Sequence, residues 1–143
     1  MTSRSIVVAS AGMDLEATAI SPDWILSGKP ETRAKEFSRS RDRTSHGVVW
    51  ECTAGSFTWN YNKDESLVVI TGEAFISYEG GEERQIGPGD IVFFPAGTSA
   101  TWRVPNYIRK VAFLRHAMPR PAGLCVLAWN LILRKLKGEG AGL

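Results

Sequence analysis

The sequence predicts an all-β, single-domain barrel with an N-terminal arm and a C-terminal helix. Three observations predict it. Between residues 46 and 116 the apolar pattern has a period of two, as half-buried strands require. Turn signals interrupt it at short intervals: Gly80-Gly81, Gly87-Pro88-Gly89-Asp90 and Pro95-Ala96-Gly97-Thr98. Many short strands with regular turns make a sandwich or barrel. The chain has 143 residues, 43% of them hydrophobic, which fits one domain with a sizeable core.

Residues 1–45 read as an arm. Pro22, Gly28 and Pro30 punctuate it. Its later part, 35–45, is charged and serine-rich and reads as a solvated connector. Trp24, Ile25 and Leu26 are costly to leave in water, so they should anchor the arm to the barrel or to a neighbouring subunit. The core, 46–116, should hold strands over 48–53, 56–61, 66–71, 73–79, 90–95, 98–104 and 109–115. YEGGEE, residues 78–83, reads as a hairpin turn, because paired glycines tolerate positive φ.

The extension, 117–143, follows Pro119 and Pro121 with a broad apolar helical face over 122–137. Arg134, Lys135 and Lys137 suit the last turn, and Gly138 stops the helix. The helix is expected to pack on the barrel or across a dimer. The alternative is a basic amphipathic helix on a membrane surface. The apolar run 122–133 falls short of the roughly 20 residues a membrane span needs.

A net charge of +2 without a basic stripe argues against nucleic acid as a partner. Cys52 and Cys125 show neither metal spacing nor a disulfide framework and read as small hydrophobes. The N-terminal apolar run, 6–11, is too short for a signal peptide. A cytoplasmic protein that does not use a membrane is expected.

Strand alternation sorts the candidate site. Phe57, Trp59 and Tyr61 share one face, and Lys63 and Glu65 keep that parity if the strand continues. Trp102 shares a face with Ala100 and Val104. Trp59, Tyr61, Lys63, Glu65 and Trp102 should therefore converge on one cavity, unless the aromatics simply fill the barrel. His46 and His116 flank the core and read as surface or interface residues.

Two blocks, GSFTWNYNKDESLVVITGE and IGPGDIVFFPAGTSATWRV, resemble the two motifs of the cupin superfamily. That resemblance implies a double-stranded β-helix jelly-roll barrel. Gly55, Glu65 and Gly72 match the first motif, with Tyr61 and Lys63 in its two histidine places. Gly89, Pro95 and Gly97 match the second, with Ala100 in place of its histidine. Within the superfamily, Trp50, Pro88-Gly89-Asp90, Phe94-Pro95-Ala96-Gly97, Trp102-Arg103-Val104 and Arg109-Lys110 resemble the ureidoglycine aminohydrolase-type domains. The cupin of ethanolamine-utilisation operons is a further relative, credited with acetate kinase activity. Here the glycine pairs read as turns rather than as a phosphate loop.

Cupin metal sites use three histidines and a glutamate, and of these only Glu65 is present. No metal or other cofactor is therefore expected. The first reading is a binding protein. Trp59, Tyr61 and Trp102 would wall its pocket, Lys63 or Arg109 would meet an anionic group, and Glu65 would accept hydrogen bonds. The second is an enzyme on a small polar or carbohydrate-like compound, with Glu65 as acid or base and Tyr61 as its proton partner. A structural or assembly module is the third. The resemblance also implies a homodimer.

Overall fold

The protein is described by a computed structural model over residues 5–138. Its strands are β1 (Glu16–Thr18), β2 (Ile25–Gly28), β3 (Thr32–Arg39), β4 (Ser45–Asn60), β5 (Asp64–Gly72), β6 (Ala74–Tyr78), β7 (Arg84–Ile86), β8 (Ile91–Phe94) and β9 (Ser99–Arg115). A single 3-10 turn, Pro22–Trp24, precedes β2, and one helix, α1 (Arg120–Lys137), follows β9. Every strand pairing among them is antiparallel.

Two long strands organise the barrel. β4 and β9 pair from Ser45↔Arg115 to Asn60↔Ser99, with one register shift between Thr53 and Gly55. On one side of the shift they sit in the order β1-β3-β4-β9-β5-β8. On the other side β4 pairs with β2, and β9 pairs with β6, which pairs with β7. Each long strand thus runs through both layers, and the core lies between them. The pairs 48–53 and 56–61, and 98–104 and 109–115, expected as separate strands, are halves of β4 and β9. Gly55 and Pro105 bend the ladder without ending it. A Cβ on Gly55 would lie 2.7 Å from the ring of Pro30, so only glycine lets that loop close over β4.

The segment 35–45 is not a connector. β3 hydrogen-bonds along β4 from Thr32↔Cys52 to Arg39↔His46, and its polar side chains mark an exposed strand. The hairpin that follows is closed by Asp42. Its Oδ1 accepts from Ser40 Oγ at 2.7 Å, Thr44 Oγ1 at 2.8 Å and the Thr44 amide at 3.0 Å. These donors, Ser40 first, lower the Asp42 pKa to about 2. Trp24 does anchor the arm, edge-on to Trp59 at 5.3 Å.

The YEGGEE hairpin forms, with a shift of one residue. Glu79 and Gly80 take positive φ, 50° and 70°, and the Gly81 amide donates to the Tyr78 carbonyl at 2.9 Å. Positive φ at both central residues is the mark of a type I′ turn, and the β6–β7 ladder resumes at Ile76↔Arg84.

α1 starts at Arg120 rather than at 122 and ends at Gly138 (φ 65°), whose amide donates to the carbonyls of Arg134 and Lys135. It does not pack on the barrel: none of its residues is buried. Residues 7–11 face the outer sheet surface beside Val49 and Val111.

Gly72 closes the β5–β6 corner at φ 79°, and a Cβ there would lie 2.0 Å from the Tyr107 carbonyl oxygen. Backbone cannot yield cheaply, so Gly72→Ala should destabilise the protein by about 2 kcal/mol or more. Urea denaturation measures this; a change within error would show that the corner relaxes freely.

Candidate functional site

The inner faces of β4, β5 and β9 carry the site. On β4, Trp50 and Cys52 precede the register shift and Phe57 and Trp59 follow it. On β5, Glu65, Leu67 and Val69 face inward. On β9, Trp102, Val104, Ile108, Lys110 and Ala112 do so. Alternation within each half dictates these sets.

Aromatic rings occupy the space between the layers. Phe57 and Trp102 stack at 6.1 Å and 10°, Tyr61 and Phe94 at 4.2 Å and 6°. Trp50 meets Phe57, Trp59 and Trp102 edge-on at 6.1 to 6.4 Å. Such pairs each add about 0.5–1.5 kcal/mol beyond area burial. Trp102, 1% exposed, donates its indole N–H to the Tyr61 hydroxyl at 3.0 Å. Burial, then the neighbouring Glu65, pushes the Tyr61 hydroxyl far above its ordinary pKa. Tyr61 is therefore a neutral hydrogen-bonding group and not a base.

One ion pair lies within this box. Lys110 Nζ donates to Glu65 Oε2 at 2.8 Å, and the two residues are 7% and 5% exposed. The ammonium also sits over Trp50 at 4.8 Å and Trp102 at 5.1 Å, within cation–π range. Desolvation makes either charge alone costly there. Cys52, fully buried, has its thiol pushed up to about 12 by burial, so it is inert at neutral pH.

Of the expected residues, Tyr61, Glu65 and Trp102 come together, and Trp59 joins through Trp50. Lys63 and Arg109 do not join them. Lys63 lies between β4 and β5, outside either strand, so inward parity does not carry through it. It acts electrostatically on His46. Arg109 points away from Lys110, with Nε on the Ala11 carbonyl at 2.8 Å, Nη1 on Glu51 at 3.0 Å and Nη2 on the Met13 carbonyl. It clamps the arm. Sequence reasoning missed Lys110, although alternation from Trp102 through Val104 and Ile108 marks it inward.

At the strand ends beside Glu65 lies a recess of about 650 Å³, whose lining includes Arg39, His46, Asp64, Phe93, Phe113 and Arg115. Leu114, which pairs with both His46 and Glu65, also lines it. His46 Nδ1 is buried without a hydrogen-bond partner. Burial, then Lys63 and Arg39, lowers the His46 pKa below 6.5. His116 is exposed. Arg39 is paired with Glu36, and Arg115 with Asp64 at 2.7 Å.

The EutQ-like cupin domain matches residues 39–112, more than half of the chain. The chain belongs to the EutQ-like cupin domain family. Its barrel is a cupin jelly roll. A Pseudomonas syringae pv. tomato protein of unknown function in the DUF861 family superposes with a TM-score of 0.68 at 22% identity, over 73% of this chain and 46% of that one. This cupin thus spans less than half the length of that relative. The EutQ protein of Clostridium difficile superposes at 0.55 with 22% identity, over 70% and 82% of the two chains. A cupin 2 conserved barrel protein from Rhodopseudomonas palustris does so at 0.60 with 13% identity, over 81% and 83%. At these identities the likeness shows the fold alone. No curated protein matches the sequence.

The cupin fold implies a metal, and the residues present do not fit one. Lys110 already neutralises Glu65, the Tyr61 hydroxyl takes the Trp102 N–H, and Ala100 offers no donor. Among the described residues no group of three or more His, Cys, Asp or Glu could hold an ion. First-row metals need such converging donors.

Two outcomes follow from the pair and from His46. Lys110→Met strands a buried carboxylate and should cost about 3–5 kcal/mol. Adding Glu65→Gln should recover much of that loss, so additive effects in a double-mutant cycle would disprove the coupling. His46 has a folded pKa below its unfolded 6.5. Its contribution to stability is therefore complete above that value and is lost as pH falls through the folded pKa. Urea midpoints should fall below about pH 6.5, and less steeply in His46→Gln.

Proposed function

We propose that this cupin is a metal-independent binding domain for a small anionic or polar metabolite. The observation that carries the reading is the recess of about 650 Å³ at the strand ends, into whose lining His46 brings a buried Nδ1 without a hydrogen-bond partner. The Lys110–Glu65 ion pair supports the metal-independent part of the reading, because it occupies Glu65, the carboxylate of the first motif. The ligand would sit in the recess over the strand ends rather than among the stacked rings, which leave the interior filled. His46 would meet its anionic group, with the positive charge of Lys63 acting nearby, and Phe93 and Phe113 would meet its apolar part.

Catalysis by Glu65 and Tyr61 is supported less well. Lys110 engages the carboxylate, and burial holds the proton on the Tyr61 hydroxyl, so Tyr61 serves poorly as its proton partner. The resemblance to ureidoglycine aminohydrolase-type domains supports the barrel and its turns, and we propose no aminohydrolase reaction from it. Nor does a phosphate loop support kinase chemistry. Gly80 serves a hairpin turn, and the Gly87 amide donates to the Asp90 carboxylate at 2.8 Å.

Thermal denaturation across carboxylates, sugar acids and phosphorylated metabolites tests the reading. A ligand at a hundredfold excess over its Kd adds about 2.7 kcal/mol of stability. The expected result is an upward shift with one anionic class, reduced in Lys63→Ala. Shifts by no anion would overturn the binding reading. Stoichiometric Mn, Fe, Ni or Zn in purified protein would overturn metal independence.

A further inference from the structure

α1 is a problem in water. Its Leu124, Leu127, Leu131, Trp129, Ile132 and Leu136 are all half or more exposed or close to it, Leu136 reaching 79%. None of its residues is buried. Apolar side chains lie on most sides of the helix, a pattern found in helices that are buried or in contact with lipid. The apolar run 122–133 is about 18 Å long, against a hydrocarbon core of about 30 Å. No helix among the described residues is long and apolar enough to cross a membrane.

Charge narrows the choice of occupant. Every charged side chain in the helix is a cation: Arg120 at its start and Arg134, Lys135 and Lys137 at its end. Arg120 opposes the helix dipole, which favours an anion there. A second copy fits poorly. Parallel pairing of two such helices brings the basic ends together, and antiparallel pairing sets Arg120 against Arg134–Lys137. Neither arrangement offers an acid in the helix to compensate. An anionic lipid surface satisfies both features: acyl chains take the apolar band and headgroups take the cations. Trp129 is of the residue type enriched at that boundary.

We propose that α1 is an interfacial anchor that holds this cupin on anionic lipid bilayers without spanning them. This departs from the expectation that the protein uses no membrane. It does not depend on the binding function proposed for the barrel.

Co-sedimentation of the full chain with vesicles tests it, comparing phosphatidylcholine alone with an equimolar mixture of phosphatidylcholine and phosphatidylglycerol. The expected result is binding to the anionic vesicles, weakened by salt and by on the order of fivefold for each of Arg134→Gln and Lys135→Gln. Leu127→Glu/Ile132→Glu should abolish it. Because these positions are exposed, the thermal midpoint of the barrel should not move, which separates lost binding from lost folding. No binding to anionic vesicles, or equal binding to both compositions, would overturn the proposal. So would a dimer that Leu127→Glu/Ile132→Glu dissolves in the absence of vesicle binding.

Discussion

A carboxylate inside a barrel of aromatic rings cannot stay charged without a cation beside it. Glu65 has that cation in Lys110, and the pair ties three strands together. Trp50 of β4 and Trp102 of β9 flank the ammonium, while β5 supplies the carboxylate. A one-residue slip of β9 would turn Lys110 outward and Arg109 inward. It would leave Glu65 unpaired and also release the arm that Arg109 clamps. One register therefore satisfies both the interior charge and the N-terminal segment.

The long strands carry this constraint through the molecule. β4 and β9 contribute inward faces to both layers, so rings from either side of the bend meet in one cluster. Gly55 lets β4 pass under Pro30, and Gly72 lets the chain pass the Tyr107 carbonyl. Both approaches are too close for a side chain. The bends hold Trp102 within reach of Tyr61, to whose hydroxyl its indole N–H donates.

The same packing separates the molecule's surfaces by chemistry. The interior is filled by rings and one neutralised ion pair. The recess at the strand ends has cations and a histidine beside exposed phenylalanines. The helix presents apolar side chains and only basic charges. A ligand at the recess and a bilayer at the helix would use different parts of the chain, because no residue of α1 lines the recess.

Sequence alone determined the barrel, the turns that close it and the first motif with Tyr61, Lys63 and Glu65 in it. Alternation, glycine and proline act locally, so a linear reading recovers them. It also placed Trp59 and Trp102 on inward faces. It did not join the halves of β4 and β9, because a bend and a turn look alike in one dimension. It read β3 as a connector, because an exposed strand with polar side chains lacks the apolar alternation that marks a buried one. Lys63 was expected inward because parity was carried across a segment that belongs to no strand. Tertiary structure alone decided that Lys110 answers Glu65, from 45 positions away, and that α1 stays off the barrel. Both outcomes depend on which surfaces meet in space, and the order of residues does not contain that.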